Sequence, residues 1–218
     1  MLAKAEEGEG SFSSTEVVNI IRQHRHSLLN HLQVVSGWLQ LKKPERAEEY
    51  VMKIRRKLEV ESRVLEIRVS RLAALFLARN AWADSSGIEI EYDLRTDLTA
   101  LAPPIPLWVK VVDLGLELFI EAVSRYPESS PLLVTVEEQG EYYLVSIRGL
   151  GAGVAPEVIG QVAASSRGRK ELDWGEAGRR AARHGGFVRL DASDGRGALL
   201  IGLPLRRTAA KAKETACL

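Results

Sequence analysis

The stretch Arg25-His26-Ser27-Leu28-Leu29-Asn30-His31-Leu32-Gln33 is the part of the sequence best equipped for chemistry. On a helix, residues four apart share a face, so His26 and Asn30 project together. His26 falls off the apolar stripe of its segment, one residue after Arg25 and two before Leu28, and is expected to face solvent in mid-helix. A neutral imidazole is a competent nucleophile near neutral pH, and a phosphoimidazole is labile enough to hand its phosphoryl group on. Such transfers need in-line positioning and charge neutralisation more than further covalent machinery. Arg25 offers positive charge beside His26, and Asn30 a hydrogen-bonding amide.

The bland alternative is that an exposed histidine on an amphipathic helix is only solvated. His24 and His31 form a competing pair seven residues apart, with Trp38 seven further on, along one flank of the stripe. Packing at the edge of a bundle accounts for them better than metal binding, because a spacing of seven suits a shared metal less than four and no third ligand is apparent. The single cysteine, Cys217, allows neither a disulfide framework nor a multi-cysteine metal site within the chain.

Two long helices must carry this motif. Ser13-Ser14-Thr15-Glu16 reads as a capping box after a flexible leader at residues 1–12. Residues 14–42 then show a heptad-like stripe of Val18, Ile21, Leu28, Leu32, Val35 and Leu39, with Arg25 in its gap. Lys42-Lys43-Pro44-Glu45 is the punctuation: two cations suit a helix C-terminus, and Pro44 suits the first turn of a new helix. The second helix is predicted from Pro44 to Arg79, with Tyr50, Ile54, Leu58, Leu65, Leu72 and Leu75 on its apolar side. A lone hairpin leaves its stripes wet, at a cost of about 25 cal/mol per Å². A second copy covers them, making a four-helix bundle and a homodimer whose core is Leu28, Leu32, Val35 and Leu39.

Past Asp84-Ser85-Ser86-Gly87 the periodicity changes. Residues 88–92 alternate as a strand, 95–106 form a proline-rich loop, and 107–125 read as a buried helix. Residues 132–137 and 142–148 form a hairpin around Gln139-Gly140, followed by the glycine-rich loop 149–153. Short helices follow from Pro156 and from about Gly175 to His184, and residues 187–190 and 198–203 close a last hairpin around Asp194-Gly195. The predicted class is α+β: a helical hairpin at 13–83, then an α/β sandwich at 87–205, then a flexible basic tail at 206–218.

Composition narrows the classes. Lys+Arg at 30 against Asp+Glu at 29 leaves no basic footprint for nucleic acid. The N-terminal segment has no apolar core of the kind a signal peptide carries. No apolar run approaches the roughly 18–20 residues that span a bilayer. The expectation is a cytoplasmic protein with neither membrane nor nucleic-acid partner.

The segment from Arg25 to Gly37 resembles the phosphoacceptor helix of the sporulation initiation phosphotransferases of endospore-forming bacteria, and more broadly that of citrate- and fumarate-type sensor kinases. The shared pattern is Arg-His, Asn four residues after the His, Leu two later, and Gly eleven after the His; Arg25, His26, Asn30, Leu32 and Gly37 supply each element. The likeness continues through Leu118-Phe119-Ile120-Glu121-Ala122-Val123-Ser124-Arg125 and spans roughly residues 15–204. It implies a phosphohistidine at His26, supported by Arg25 and Asn30. A single-domain response regulator would be the donor and a transcription-factor response regulator the acceptor, both docking on Leu29, Asn30 and Gln33. It implies no cofactor held by this chain, Mg²⁺ arriving in the regulator's acidic pocket, and a role in control of sporulation.

The second domain resembles a histidine-kinase ATPase domain with degraded nucleotide boxes. Glu121 stands where an active kinase has the Asn that helps hold MgATP. Gly149 stands where the adenine-recognising Asp belongs in Gly149-Leu150-Gly151-Ala152-Gly153. Glu171 and Asp173 stand where the last glycine-rich box belongs. Carboxylates repel phosphates where open backbone and a helix N-terminus should cradle them. The expectation is therefore a phosphotransferase that does not use ATP. An active soluble kinase with unorthodox boxes, and a non-catalytic dimeric scaffold or kinase inhibitor, stand as the alternatives.

Overall fold

The computed structural model describes residues 14–125, 131–150, 154–165, 174–192 and 196–206. The leader, Ser13 of the capping box, Gly151–Gly153, Glu171, Asp173, the Asp194-Gly195 turn and the tail beyond 206 lie outside the described residues, as do the side chains of Ile21 and His24. The chain divides into two compact units, Met1–Leu58 and Glu59–Leu218. A helical region followed by a mixed α/β sandwich is the class the periodicities predict.

α1 (Ser14–Gln40), in the first unit, turns sharply into α2 (Pro44–Leu65), which begins in the first unit and ends in the second. The turn is a Schellman motif: Lys43 N–H donates to the Trp38 carbonyl at 3.0 Å and Lys42 N–H to the Leu39 carbonyl at 3.0 Å. Lys42 occupies the left-handed position at φ 53° that glycine usually fills. Pro44 then opens α2, where its missing N–H costs nothing. The Lys43 ammonium lies 5.9 Å from the Trp38 ring centroid, closing the motif with a side-chain contact across the turn.

The predicted continuous second helix is instead two. α2 stops at Leu65, and α3 (Ser70–Ser85) begins five residues later. The break has a tertiary cause. Arg68 N–H leaves the helical ladder and donates to the Asp97 carbonyl at 2.7 Å. Ile67 sinks into the core of the second unit, 4% exposed. The apolar stripe runs through the break, which is why periodicity alone does not reveal it.

The second unit is a two-layer sandwich. Its sheet runs β1 (Ile90–Leu94), β2 (Leu132–Gln139), β3 (Tyr142–Gly149), β5 (Ala198–Pro204), β4 (Phe187–Asp191), in that spatial order. β1 and β2 pair in parallel, the other neighbours antiparallel. Gly140, at φ 62°, supplies the left-handed residue of the β2–β3 turn. The crossover from β1 to β2 is α4 (Ile105–Arg125), whose middle is wholly buried through Trp108, Val112, Leu116, Phe119, Ile120 and Val123. α4 lies close on the sheet because Gly115 has no side chain: a Cβ there would stand 2.7 Å from Leu199 Cδ2. The remaining helices, α5 (Pro156–Ser165) and α6 (Trp174–Arg183), pack beside it. Gly186 follows α6 where a Cβ would meet the Gly202 carbonyl at 2.5 Å and the Trp108 ring at 2.8 Å.

Two polar links tie α3 to this layer. The Arg79 guanidinium donates to Asp113 at 2.5 Å and to Glu117 at 3.2 Å, and lies 5.0 Å from the Trp82 ring centroid. The buried Tyr92 hydroxyl donates to the Phe76 carbonyl at 3.1 Å, with the two rings edge to face. Burial raises the Tyr92 phenol above its ordinary range. Its neutral form is thus the folded form, and an unfolded chain loses this proton near pH 10. The stability it contributes is intact below about pH 10 and is lost as pH rises further. Tyr92→Phe should cost about 1 kcal/mol at pH 8 through the lost hydrogen bond. In urea unfolding the gap to the native sequence should narrow or reverse above pH 10; a constant gap would refute this account.

Candidate functional site

The histidine segment lies wholly on α1. His26 stands about 20 Å from the helix's C-terminal end at 1.5 Å per residue, in mid-helix as its spacing predicts. At 100° per residue, His26, Leu29, Asn30 and Gln33 fall within an arc of about 100°. All four are exposed. Arg25, also exposed, flanks this arc on the Leu29 side. The helix thus brings together an imidazole, an amide, a second amide one turn on and one apolar side chain on one exposed face. Arg25 supplies charge at the rim.

The four residues expected in a bundle core lie on the opposite side of α1. Leu28 is 54% exposed, Leu32 57% and Leu39 54%, while Val35 is half-buried. On α2, Val51, Met52 and Leu58 are exposed as well. Among the described residues of this unit Ala47 alone is buried. Exposed apolar surface so extensive is atypical of an isolated soluble unit.

His31 points away from the His26 arc and toward α2. Its Nδ1 shares a hydrogen bond with the Tyr50 hydroxyl at 2.9 Å, and the ring centroids lie 5.9 Å apart. The packing reading of His31 therefore fits the geometry: it pins one helix of the hairpin against the other. The sequence places Tyr50 on the apolar side of α2 but does not reveal this pairing, because residues in two helices carry no spacing signal for each other. Among the described residues no group of His, Cys, Asp and Glu is arranged to hold a metal ion.

In the second unit Glu121 sits on α4 with its side chain 39% exposed, and its carboxylate accepts from the Arg125 guanidinium at 2.8 Å. One turn earlier Glu117 accepts from Arg79. The Glu121–Arg125 pairing is readable from its spacing of four; the Glu117–Arg79 pairing joins residues 38 apart and is not. Gly149 ends β3, buried opposite Leu132, and Leu150 N–H donates to the Pro131 carbonyl at 2.8 Å. The first glycine of the loop is thus used as sheet.

Residues 9–67 match the family described as "Sensor_kinase_SpoOB-type, alpha-helical domain". No curated protein sequence matches the chain. Among solved structures, two nucleotide-free crystal forms of the catalytic domain of histidine kinase ThkA are similar, at 10% and 11% identity. They cover 63% and 64% of this chain and 91% and 93% of theirs, with TM-scores of 0.43 and 0.45. The Acinetobacter baumannii histidine kinase AdeS matches at 14% identity over 84% of this chain and 98% of its own, with a TM-score of 0.39.

The His31–Tyr50 bond should carry measurable stability. Tyr50→Phe should cost about 0.5–1.5 kcal/mol, read as a thermal transition lowered by a few degrees in circular dichroism at 222 nm. An unchanged transition would show that the bond is not a fastening of the hairpin.

Proposed function

We propose that this chain is a phosphorelay phosphotransferase that carries a phosphoryl group on His26 between two response regulators. The observation that carries this reading is the face of α1 on which His26, Leu29, Asn30 and Gln33 stand together, exposed, in mid-helix. The match of residues 9–67 to a sensor-kinase helical domain supports placing the chain in two-component signalling. In the first step an imidazole nitrogen of His26 attacks the phosphorus of the donor's aspartyl phosphate. The P–N bond forms as the acyl P–O bond breaks, and the Asp carboxylate leaves. In the second step the acceptor's Asp carboxylate attacks the phosphohistidine, the P–N bond breaks, and the imidazole is restored. Arg25 offsets charge on the moving group, and Asn30 orients it or the approaching regulator. Leu29 and Gln33 complete the docking surface.

Mg²⁺ belongs in this scheme to the regulator's acidic pocket, and this chain contributes no ligand to it. The donor is a single-domain regulator and the acceptor a transcription factor. The resemblance of the His26 segment to sporulation phosphotransferases supports a place in the control of sporulation, in the cytoplasm. No helix of the described residues is long and apolar enough to cross a membrane. The second unit does not deliver phosphate from ATP: Glu121 replaces an amide there, and its carboxylate is engaged by Arg125.

The exposed stripe of Leu28, Leu32, Val35 and Leu39 is covered, in this reading, by the same stripe of a second copy. Each buried leucine is worth about 1.5–3 kcal/mol, so the stripe supplies a sizeable part of a stable interface. The dimer presents two His26 sites.

Two measurements test the proposal. Purified protein incubated with a phosphorylated single-domain regulator should acquire acid-labile, base-stable phosphate, and His26→Gln should acquire none. Label from ATP alone would make the chain a kinase, and activity retained in His26→Gln would make it a scaffold. In sedimentation velocity the native chain should run as a dimer, and Leu32→Asp should weaken that dimer by more than about a hundredfold, because it puts a charge into an apolar seam. A native monomer at high micromolar concentration would remove the bundle from the proposal.

A further inference from the structure

The helices of the second unit cover one face of the sheet. Ile147, Leu199 and Ile201 meet α4 there, and Tyr92 meets α3. The alternate residues, Leu133, Thr135, Leu144, Ser146, Arg148 and Leu200, point the other way and stay half-buried or exposed. At one end of this second face lies a cleft of about 350 Å³. Its lining includes Ser146, Arg148, Leu150, Asp191, Arg196 and Leu200.

The strand register explains the cleft. Arg148 of β3, Ala198 of β5 and Asp191 of β4 stand opposite one another in a single row. Ala198, with one methyl group, forms a low floor between the charged side chains of Arg148 and Asp191. In the row that pairs Ser146 with Leu200, Leu200 continues the apolar floor and Ser146 adds a hydroxyl on the Arg148 side. Among the described residues of the lining, the guanidinium of Arg148 stands on the Ser146 side, and Arg196 and Asp191 share the far side. A planar guanidinium is the side chain that best matches a carboxylate or phosphate. The volume is at the low end of small-molecule sites, which combine an apolar wall with a few convergent polar groups.

We propose that this cleft binds a small organic anion, a single carboxylate or phosphate head on a short apolar body. The head sits between Arg148 and the Ser146 hydroxyl. The body lies along Ala198 and Leu200 toward Leu150. Arg196 and Asp191 shape the far wall. The site is on the opposite face of the sheet from α4 and Glu121, and it does not depend on phosphotransfer at His26.

The full chain, labelled with ¹⁵N, is titrated with 3-methylbutanoate, isobutyl phosphate, inorganic phosphate and the neutral 3-methylbutanamide. At least one organic anion should give saturable shifts centred on the amides of Ser146, Gly197 and Ala198. The amide and inorganic phosphate should bind at least about tenfold more weakly, since each lacks half of the match. Saturation by the carboxylate alone, or by the phosphomonoester alone, identifies the head group; saturation by both leaves the shared anionic chemistry as the specificity. Arg148→Gln should weaken binding about tenfold and Arg148→Lys less, because the second keeps the charge without the fork. His26→Gln should leave it unchanged. The proposal is overturned if neither organic anion saturates, if the neutral amide binds as well as they do, or if Arg148→Gln binds like the native chain. Arg148 is exposed, so its substitutions should not unfold the sheet, and the dispersion of the same spectra checks this.

Discussion

A helix has about 3.6 residues per turn, and no side chain on it can belong to two opposed faces at once. The division of α1 into two opposed faces is the constraint on which the first unit rests. Leu28, Leu32, Val35 and Leu39 occupy one side; His26, Leu29, Asn30 and Gln33 occupy the other. Moving either set by a single position would rotate it about 100° out of its face. The hairpin is held to the same standard. The Schellman turn at Lys42 sets where α2 begins, and the His31–Tyr50 bond fixes which side of α1 it covers. That side borders the leucine stripe at half-buried Val35, and it leaves Leu28, Leu32, Leu39 and the His26 arc exposed.

The second unit obeys a different constraint, close approach. α4 is buried along nearly its whole middle, and it reaches the sheet because Gly115 stands aside for Leu199, Ile147 and Ile201. Gly186 permits a similar approach between the end of α6, Trp108 and the Gly202 carbonyl. Polar groups are used here as fasteners: Arg79 reaches Asp113 and Glu117, and Arg125 reaches Glu121. Both glutamates lie on α4, and both carboxylates hold guanidinium groups of the protein itself.

Local signals in the sequence were faithful where the structure is local. Pro44 opens α2, Gln139-Gly140 makes a hairpin turn, and the spacing of His26 and Asn30 puts them on one face. The failures have tertiary causes. Ile67 is drawn into a core, and the Arg68 amide is claimed by Asp97, 29 residues on, so a helix that looks continuous from Pro44 to Arg79 breaks after Leu65. The stripe on either side of that break serves different ends: Leu65 is 66% exposed and Leu72 fully buried. The first strand begins at Ile90, two residues late, because the Ile88 amide caps α3 on the Ala83 carbonyl instead of joining the sheet. Neither the His31–Tyr50 bond nor the row of Arg148, Ala198 and Asp191 could be read from one chain of letters, since each needs the register of two or three elements.

The sheet order has a consequence for how the protein comes to be. β5 is the last strand in sequence, yet it lies between β3 and β4. β1 waits for β2 across the whole of α4 before it gains a parallel neighbour. During synthesis the hairpin of α1 and α2 can form from contacts near in sequence, while β3 and β4 stay unpaired toward each other until residues 198–204 are available. The ordering entropy of the whole sandwich is met late, by one strand. Until then a chain with its helices already formed carries two open strand edges, the kind of surface that chaperones protect and aggregates recruit.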